Sequence, residues 1–213
     1  MNPLSNEETY INQQNNPIED WNGIYKKVRG NPPWESGQEE EILVSLVASF
    51  QTKKVVILDI GCGQGTDLIY LTEKGFKTIG LDISSYAIKK AMVRGEEKNL
   101  KLNLFQGDVL NLPFSNYSFD FINDRGCFHH IKKEERINYC QEIVRVLKNR
   151  GKLLLRVFSE NYYKSGGSGQ LLSKKDIKKV FQNFFELGEI TDYRGKGNKW
   201  SVEMSWCFMR KRI

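Results

Sequence analysis

Histidine is scarce in this chain, and cysteine appears only as isolated residues. The two histidines, His129 and His130, are adjacent, and a metal centre built on imidazoles needs more ligands than these. The four cysteines lie far apart and form no C-x-x-C pair, which predicts reduced thiols and neither a disulfide framework nor a zinc site. The sequence therefore predicts no bound metal.

Long apolar runs are also missing. No stretch approaches the roughly 20 apolar residues that a membrane-spanning helix needs. Residues 1–20 are polar and lack the apolar core of a signal peptide. Together with the reduced thiols, these features predict a cytoplasmic protein with no membrane partner.

Positive charge is in modest excess over negative charge. The 32 Lys and Arg residues outnumber the 26 Asp and Glu residues, which gives a net charge of +6. A basic balance raises the question of nucleic acid, since clustered Lys and Arg bind phosphate. Here the basic residues are dispersed over helical patterns beside acidic residues, as is typical of solvated helix faces. A nucleic-acid partner is therefore not expected.

A change in composition near residue 36 divides the chain. Seven of the first sixteen residues are Asn or Gln, and the segment 1–36 then carries Trp21, Tyr25 and Trp34. From 37 to 213, short apolar strands alternate with amphipathic helices, and the chain ends in a pair of strands. This order predicts one α/β domain with an open, mostly parallel sheet whose last strand is antiparallel. In such sheets a ligand binds beyond the carboxyl ends of the strands, next to the first strand.

A glycine-rich turn directly follows the first predicted strand, with the sequence Asp59-Ile60-Gly61-Cys62-Gly63-Gln64-Gly65. A dinucleotide fingerprint would need a third glycine where Thr66 stands. The carboxylate ahead of the turn would repel a pyrophosphate, but it suits a ligand that carries an ammonium group. A turn with a purely structural role is the alternative interpretation.

Acidic residues also end the next two predicted strands. Asp82 follows the second strand about twenty residues on, where a carboxylate can accept both hydroxyls of a ribose. Gln106-Gly107-Asp108-Val109 ends the third strand, where a side-chain acceptor and a backbone N–H suit the edge of an adenine. The alternatives are a helix cap at Asp82 and an ordinary turn at Gly107-Asp108. Turn chemistry alone does not account well for all three features in this order.

The combined motifs resemble the class I S-adenosylmethionine-dependent methyltransferases. The motifs that carry the resemblance lie between about residues 38 and 158: the turn from Asp59 to Gly65, Leu81-Asp82-Ile83-Ser84 with Ala87-Ile88, Gly107-Asp108-Val109, and Leu112-Pro113-Phe114 with Ser118-Phe119-Asp120. The resemblance implies a Rossmann-like, seven-stranded sheet in the order 3-2-1-4-5-7-6, with strand 7 antiparallel and helices on both faces.

The resemblance also implies S-adenosylmethionine as the cofactor and S-adenosylhomocysteine as its product. Carried over position by position, Asp59 and the turn residues Gly61, Cys62, Gly63 and Gly65 would hold the methionine moiety. Asp82 would bind the ribose and Ile83 would pack on the adenine. Asp108 and the Val109 amide would bind the adenine edge.

After the fourth strand, Asp124-Arg125-Gly126 resembles a narrower group, the thiol, thiopurine, halide and tellurite methyltransferases. The aromatic residues of the segment 1–36, with Pro33-Trp34-Glu35 among them, add to this likeness. It implies that the segment folds over the cofactor as a lid, with Asp124, Arg125 and Trp34 at the cofactor. The alternative is that Trp21 and Trp34 simply cover one end of the sheet.

The sequence gives fewer signals for the part of the site that binds the methyl acceptor. The Asn/Asp-Pro-Pro-Tyr/Phe signature of amino-methyltransferases is absent after the fourth strand, and Asn31-Pro32-Pro33-Trp34 precedes the cofactor strand. The preferred interpretation is methyl transfer to a small molecule by in-line displacement. An RNA or protein methyltransferase and a non-catalytic cofactor-binding module are the alternatives.

The two histidines follow the fourth strand, on the rim of the expected acceptor pocket. His129 is the candidate catalytic base, because an imidazole titrates near neutral pH. His130 is expected to make local, structural hydrogen bonds. Cys62 and Cys127 are expected to be packing residues, since no basic group is assignable beside either.

Overall fold

The computed structural model describes residues 17–27, 32, 34–165, 171–196 and 201–213, with the backbone alone for residues 17–20, 196 and 201. The helices are α1 (Pro17–Lys27), α2 (Glu41–Ala48), α3 (Thr66–Glu73), α4 (Ser85–Glu97), α5 (Arg136–Val146), α6 (Glu160–Lys164) and α7 (Lys174–Phe181). The strands are β1 (Val56–Ile60), β2 (Lys77–Asp82), β3 (Leu104–Gln106), β4 (Phe119–Arg125), β5 (Leu147–Phe158), β6 (Phe185–Leu187), β7 (Thr191–Lys196) and β8 (Ser201–Lys211). Two 3₁₀ turns, Phe128–His130 and Lys133–Glu135, precede α5.

The strands form one Rossmann-like sheet in the order β3-β2-β1-β4-β5-β8-β6, and β7 also pairs with β8. Strands β1 to β5 are parallel, and β8 runs antiparallel to β5. The predicted fold class and the antiparallel last strand are therefore confirmed. Because the order reverses between β1 and β4, the carboxyl ends of these two strands flank the crevice in which such sheets bind ligands.

The predicted count of seven strands is wrong by one, because the structure contains eight strands in its described residues. The expected sixth strand is split into β6 and β7, which both pair with the same edge of β8. Between them, Gly188 still donates its N–H to the Phe208 carbonyl at 2.8 Å. A side chain at Gly188 would lie 2.9 Å from that carbonyl oxygen. The chain thus stays close to β8 at this point without the regular ladder.

A second difference concerns the start of β5. The run Asn149-Arg150-Gly151 suggests a stop after α5, with a strand only from Leu153. The structure begins β5 at Leu147, which pairs with Phe119, and the register then jumps so that Lys152 pairs with Phe121. Arg150 has a φ of +61°, so the predicted turn residues form an irregularity inside the strand.

Apolar side chains cover both faces of the sheet. Along β1 the faces alternate, as a strand requires: Ile57 packs on one cluster and Leu58 on the other. The Ile57 face is covered by α2 and α3, and the Leu58 face by α5 and α7. Both faces being buried explains why the central strands are apolar throughout. None of the described helices is long and apolar enough to cross a membrane.

Candidate cofactor and acceptor site

The glycine turn connects β1 to α3 in a conformation that side chains disfavour. Gly61, Gly63 and Gly65 have φ values of +59°, +54° and +80°. A Cβ on Gly61 would lie 2.9 Å from the Cβ of Cys127, and one on Gly63 would lie 2.8 Å from the hydroxyl of Tyr25. Glycine is therefore required at both positions, for its backbone conformation and for space.

Asp82 joins the end of β2 to this turn. Its carboxylate accepts the Gly63 N–H at 2.9 Å and the Ser84 N–H at 2.8 Å, and it is almost fully buried. Burial raises the pKa of this carboxyl above its ordinary value, against the opposing effect of these amides. The alternative interpretation of Asp82 is a helix cap, but the cap of α4 is Ser84, whose hydroxyl accepts the Ala87 N–H. Asp82 instead holds the glycine turn through Gly63.

At the end of β3, Asp108 accepts the Leu110 N–H at 2.9 Å, so part of its carboxylate is used in the turn. The Gly107 N–H donates to the Asp82 carbonyl, which sets this turn beside β2. Ile83 accepts a hydrogen bond from the Gln106 amide, and Val109 is buried. Asp82, Ile83, Asp108 and Val109 thus lie at neighbouring strand ends, as predicted for parallel strands.

Asp59 carries a buried oxygen that lacks a partner. Its Oδ1 accepts from Asn123 Nδ2 at 2.7 Å, whereas its Oδ2 has no hydrogen bond although the residue is only 3% exposed. The same Asn123 nitrogen lies 3.1 Å from Asp67 Oδ2. Burial, followed by the charge of Asp67, raises the pKa of Asp59 to about 7. A buried, unpaired carboxylate oxygen suits a cationic ligand, which agrees with the ammonium group of a methionine moiety.

Asp67 is paired with two arginines. Arg156, which is fully buried, donates to Asp67 Oδ2 at 2.6 Å and to Asn123 at 2.6 Å, and its other Nη contacts Glu40 at 2.9 Å. Arg125 lies 3.2 Å from Asp67 Oδ1, which accepts no aligned hydrogen bond. The two guanidinium groups hold the pKa of Asp67 below its usual value despite burial.

The aromatic N-terminal segment contacts both sides of the crevice; of this segment, residues 1–16, 28–31 and 33 lie outside the described residues. On one side, Asn22 accepts from the hydroxyl of Ser84 at 3.0 Å, which places α1 against the start of α4. Over the turn, the Tyr25 hydroxyl approaches Gly63. Trp34 lies edge-on to both Trp21 and Tyr25.

Glu35 fixes the second half of this segment. Its carboxylate is buried and accepts from the Thr66 hydroxyl at 2.5 Å, at the first residue of α3. It also lies 3.7 Å from Arg125 and 3.8 Å from Arg94. Glu35 thus ties the N-terminal segment to α3 by a hydrogen bond and to α4 and β4 by charge, around the glycine turn.

Asp124 and Arg125 end β4 but have different surroundings. The Asp124 carboxylate accepts from the Cys127 amide at 2.8 Å and from the Tyr139 hydroxyl at 2.6 Å, so it holds the following loop. Burial raises the pKa of Asp124 to about 6. Because both of its oxygens accept hydrogen bonds within the protein, the Asp124 carboxylate is not free to bind a ligand. Arg125 instead points toward Glu35 and Asp67.

The two histidines have exposures opposite to the expectation. His129 is 6% exposed, its ring stacks on Phe158 at 3.8 Å, and its Nδ1 accepts the Phe158 N–H at 3.1 Å. His130 is the exposed ring and lies edge-on to Trp21 at 4.8 Å. The expectation that His129 faces the acceptor and His130 is the structural residue is therefore corrected. The reason is that the 3₁₀ turn Phe128–His130 directs the ring of His129 toward Phe158 at the end of β5.

The His129 hydrogen bond also fixes its proton. Since a backbone N–H can only donate, Nδ1 must be the acceptor, and we assign the proton of neutral His129 to Nε2. That Nε2 lies 3.1 Å from Nε2 of His130, so it donates to it. Burial, followed by the charge of His130, lowers the pKa of His129 well below its ordinary value. His129 is therefore neutral at pH 7, and it has no lone pair left for a substrate.

Known methyltransferases resemble this chain in sequence and in fold. The profile of a methyltransferase domain matches residues 57–151. An uncharacterised methyltransferase of Schizosaccharomyces pombe is 33% identical over 104 residues, which cover 49% of this chain and 72% of that protein. The chain belongs to the S-adenosylmethionine-dependent methyltransferases. The predicted family is confirmed, and S-adenosylmethionine is the methyl donor that the family uses.

Further relatives of this methyltransferase are more distant. A 2-heptyl-1-hydroxyquinolin-4(1H)-one methyltransferase of Mycobacteroides abscessus is 26% identical over 171 residues, 79% of this chain and 75% of that protein. A structure that describes the conversion of a disulfide bond into a thioacetal group during echinomycin biosynthesis has a TM-score of 0.79 at 20% identity, covering 92% and 93% of the two chains. For a methyltransferase of Methanosarcina mazei the TM-score is 0.69 at 20% identity, covering 83% and 99%. These two structures share the fold.

Sequence reasoning missed several residues of the methyltransferase site. Asp67, Asn123 and Arg156 surround Asp59, and Glu35 fastens the N-terminal segment. A charged residue in the middle of an apolar strand, as Arg156 is in β5, was the available signal, because such a charge must have a buried partner. Among the described residues, no cluster of three or more metal-binding side chains is found.

Proposed function

We propose that this methyltransferase transfers a methyl group to a small, flat acceptor molecule by direct in-line displacement, while the N-terminal segment encloses both ligands. The observation that carries the proposal is the cover over the crevice: Tyr25 approaches Gly63, and Glu35 binds Thr66. An enclosed site suits a small molecule better than an acceptor atom that stays attached to an RNA or a protein. The segment 1–36 is then a lid on the domain formed by residues 37–213.

Cofactor contacts follow from the geometry around the turn. In this proposal the unpaired oxygen of Asp59 binds the ammonium group, and the backbone of Gly61, Cys62, Gly63 and Gly65 lies along the methionine moiety. The spare lone pairs of Asp82 accept the ribose hydroxyls. The remaining assigned contacts are Ile83 on the adenine, Asp108 and the Val109 amide at its edge, Trp34 in the lid, and Arg125 with the Asp124 main chain beside the methionine moiety.

The acceptor side is lined by aromatic rings. The exposed ring of His130 and the half-buried ring of Trp21 meet there from two different segments. The stack of His129, Phe158 and Tyr162, with ring distances of 3.8 and 4.0 Å, supports His130 from within the protein. Such rings favour a flat acceptor that packs against them. The relative from Mycobacteroides abscessus, whose name gives a hydroxyquinolinone as its substrate, supports this class of acceptor.

Catalysis in this proposal depends on alignment. S-adenosylmethionine supplies a methyl group that is already activated on a sulfonium. The protein then needs to exclude water and hold the acceptor atom in line, which supplies much of the rate. A catalytic base role for His129 stays a prediction, and its engaged nitrogens favour an acceptor that is ionised before it binds. The likeness to the thiol and thiopurine group also stays a prediction.

An RNA or protein acceptor is the less favoured alternative. Several exposed lysines form ion pairs, such as Lys98 with Glu73 at 2.7 Å and Lys174 with Asp192 at 2.9 Å. Such pairs dilute the positive surface that a phosphate backbone would need.

The test is an acceptor panel. S-adenosylhomocysteine release would be measured with aromatic thiols, N-hydroxy heteroaromatics, phenols and amines, beside total RNA and a protein extract. We expect turnover with flat acceptors that ionise near neutral pH. Trp21→Leu should raise the KM for the acceptor. Trp206→Leu also removes an indole but should leave the KM unchanged, because Trp206 packs against the apolar cluster on the Ile57 face of the sheet. Methyl incorporation into RNA or protein alone would overturn the proposal.

A further inference from the structure

One network of ion-paired and hydrogen-bonded side chains beside the glycine turn has charges that do not balance. Asp82, a further carboxylate at the turn, is bound by backbone amides and is not part of this network. Among the described residues, the network holds four carboxylates, Glu35, Glu40, Asp59 and Asp67, and three guanidinium groups, Arg94, Arg125 and Arg156. Arg156 binds Asp67 and Glu40, while Arg125 and Arg94 reach Glu35. One negative charge is left over, and a buried uncompensated charge is costly.

The surplus falls on Asp59. Asp59 and Asp67 share one amide nitrogen of Asn123, at 2.7 and 3.1 Å, so their carboxylates lie close together. Asp67 has a guanidinium nitrogen of Arg156 at 2.6 Å, whereas Asp59 has no ion pair and one oxygen without any hydrogen bond. Two neighbouring buried carboxylates with unequal pairing do not both stay ionised; the less well paired one keeps a proton.

We propose that Asp67 is the second carboxylate of the ammonium site, and that the cofactor's ammonium group displaces a proton that Asp59 holds in the free protein. The inference rests on the proposed cofactor site and deepens it. The O–H bond of Asp59 breaks, its proton goes to solvent, and the ammonium takes its place as the fourth positive charge. Cofactor binding is then coupled to release of about one proton below neutral pH.

The surroundings of Asp59 support this coupling. The groups that face it are Asp67 on α3, Asn123 and Arg125 on β4, and Arg156 on β5. Cys62 in the turn and Cys127 in the loop after β4 also lie near it, and burial raises the pKa of both thiols well above the ordinary value, so they stay neutral. Arg156 also donates to Glu40, which accepts a second hydrogen bond from the Tyr193 hydroxyl. With its pKa raised to about 7, the carboxyl of Asp59 is largely protonated at mildly acidic pH.

Calorimetric titration with S-adenosylhomocysteine, in buffers of different ionisation enthalpy, measures this proton directly. Between pH 5.5 and 7, where the ligand's amino group stays charged, we expect release of most of one proton at the acidic end and of a smaller fraction as the pH approaches 7. The dissociation constant should fall by up to about tenfold per pH unit over that range.

Variants identify the source of the proton. Asp59→Asn should bind more weakly and release no proton, and Asp67→Asn should move the release to lower pH because the neighbouring charge is gone. Asp82→Asn is the matched control: it should also bind more weakly, yet keep the proton release. Retention of the release in Asp59→Asn would overturn the inference.

The outcomes separate this inference from the proposal on which it rests. Tight binding of S-adenosylhomocysteine with no proton release at pH 6 overturns the inference and leaves the cofactor site standing. Absence of binding at every pH overturns the cofactor site, and the inference with it.

Discussion

The carboxylate of Asp82 accepts the backbone N–H of Gly63 at 2.9 Å. The acid that ends β2 therefore holds the turn that follows β1, so two of the predicted cofactor-binding features form one unit. A ligand that binds Asp82 would therefore also act on this turn, and the hydroxyl of Tyr25 lies close to the turn at Gly63.

Removal of the Asp82 carboxylate should weaken both parts of this unit. We expect Asp82→Ala to reduce S-adenosylmethionine affinity by about 1.5–3 kcal/mol, the range for hydrogen bonds to a charged group. The melting temperature should fall as well, because the buried Gly63 and Ser84 amides lose their acceptor. Calorimetry and thermal unfolding measure the two effects, and an unchanged dissociation constant would contradict the ribose assignment.

Substitution of Gly63 should act through the lid. In Gly63→Ala the new Cβ would meet the Tyr25 hydroxyl at 2.8 Å, so the lid and the cofactor should both bind less well. Gly75→Ala is the matched control, since Gly75 has a φ of +80° and no atom within 4 Å of an added Cβ. Both variants should lose stability through backbone strain, and only Gly63→Ala should lose cofactor affinity. Equal affinities would show that the turn is structural.

Neutralisation of Glu35 should loosen the N-terminal segment. Glu35→Gln keeps the shape but removes the charge that faces Arg125 and Arg94, and we expect a loss of about 1–3 kcal/mol in the unfolding free energy. Proteolysis within residues 28–36 should become faster, and added cofactor should protect that region less. Glu73→Gln, which breaks the exposed pair with Lys98, should change neither property. Wild-type protection in Glu35→Gln would argue against the lid.

The histidines give a kinetic prediction. A general base contributes about 10²–10⁴-fold to the rate. Because both ring nitrogens of His129 are engaged, we expect His129→Ala to lower kcat less than tenfold for an acceptor that is already ionised, and to lose about 1–3 kcal/mol of stability from the unpaired Phe158 amide. His130→Ala should mainly raise the acceptor KM. A loss of 10² or more in kcat for His129→Ala, with a normal melting temperature, would restore the base role.

Stability of the free protein should depend on pH through Asp59. Its pKa rises from an ordinary value of 3.8 to about 7 on folding, so the folded state keeps a proton that the unfolded chain loses. Stability from this residue is therefore lost as the pH rises from about 4 to 7. Asp59→Asn should gain stability relative to wild type over this window, by on the order of 1–3 kcal/mol. The lowered pKa of His129 acts in the opposite direction, but its effect cancels in the difference between the two proteins.

Motifs that combine a strand, a turn and a helix were predictable from the sequence. The glycine turn after β1 and the acid after β2 are local features, because each is defined by a few consecutive residues in a parallel α/β pattern. The sheet order followed from the resemblance that these motifs carry. The split of the sixth strand was not predictable, because it depends on the approach of Gly188 to Phe208.

The charge network and the histidine roles could not be predicted in the same way. Arg156 and Glu40 are 116 positions apart in the chain, and only the tertiary fold brings them together. Adjacent histidines offer two possible rings to one pocket, and the choice depends on which ring meets the Phe158 amide. Contacts between distant segments decide both features. The local pattern around Arg156 indicates that a buried partner exists, but it does not indicate which residue that partner is.

The position of β8 has a consequence for the order in which the protein forms during synthesis. This strand lies between β5 on one side and β6 with β7 on the other, although it follows all of them in the chain. Lys211, at its end, donates its ammonium protons to the carbonyls of Val144 and Leu147, where α5 passes into β5. A ribosome delivers these residues after the rest of the sheet, so β1 to β5 must wait with an open edge until β8 has left the exit tunnel. Of the described strands, the one made after all the others is thus the one that covers the open edge of β5.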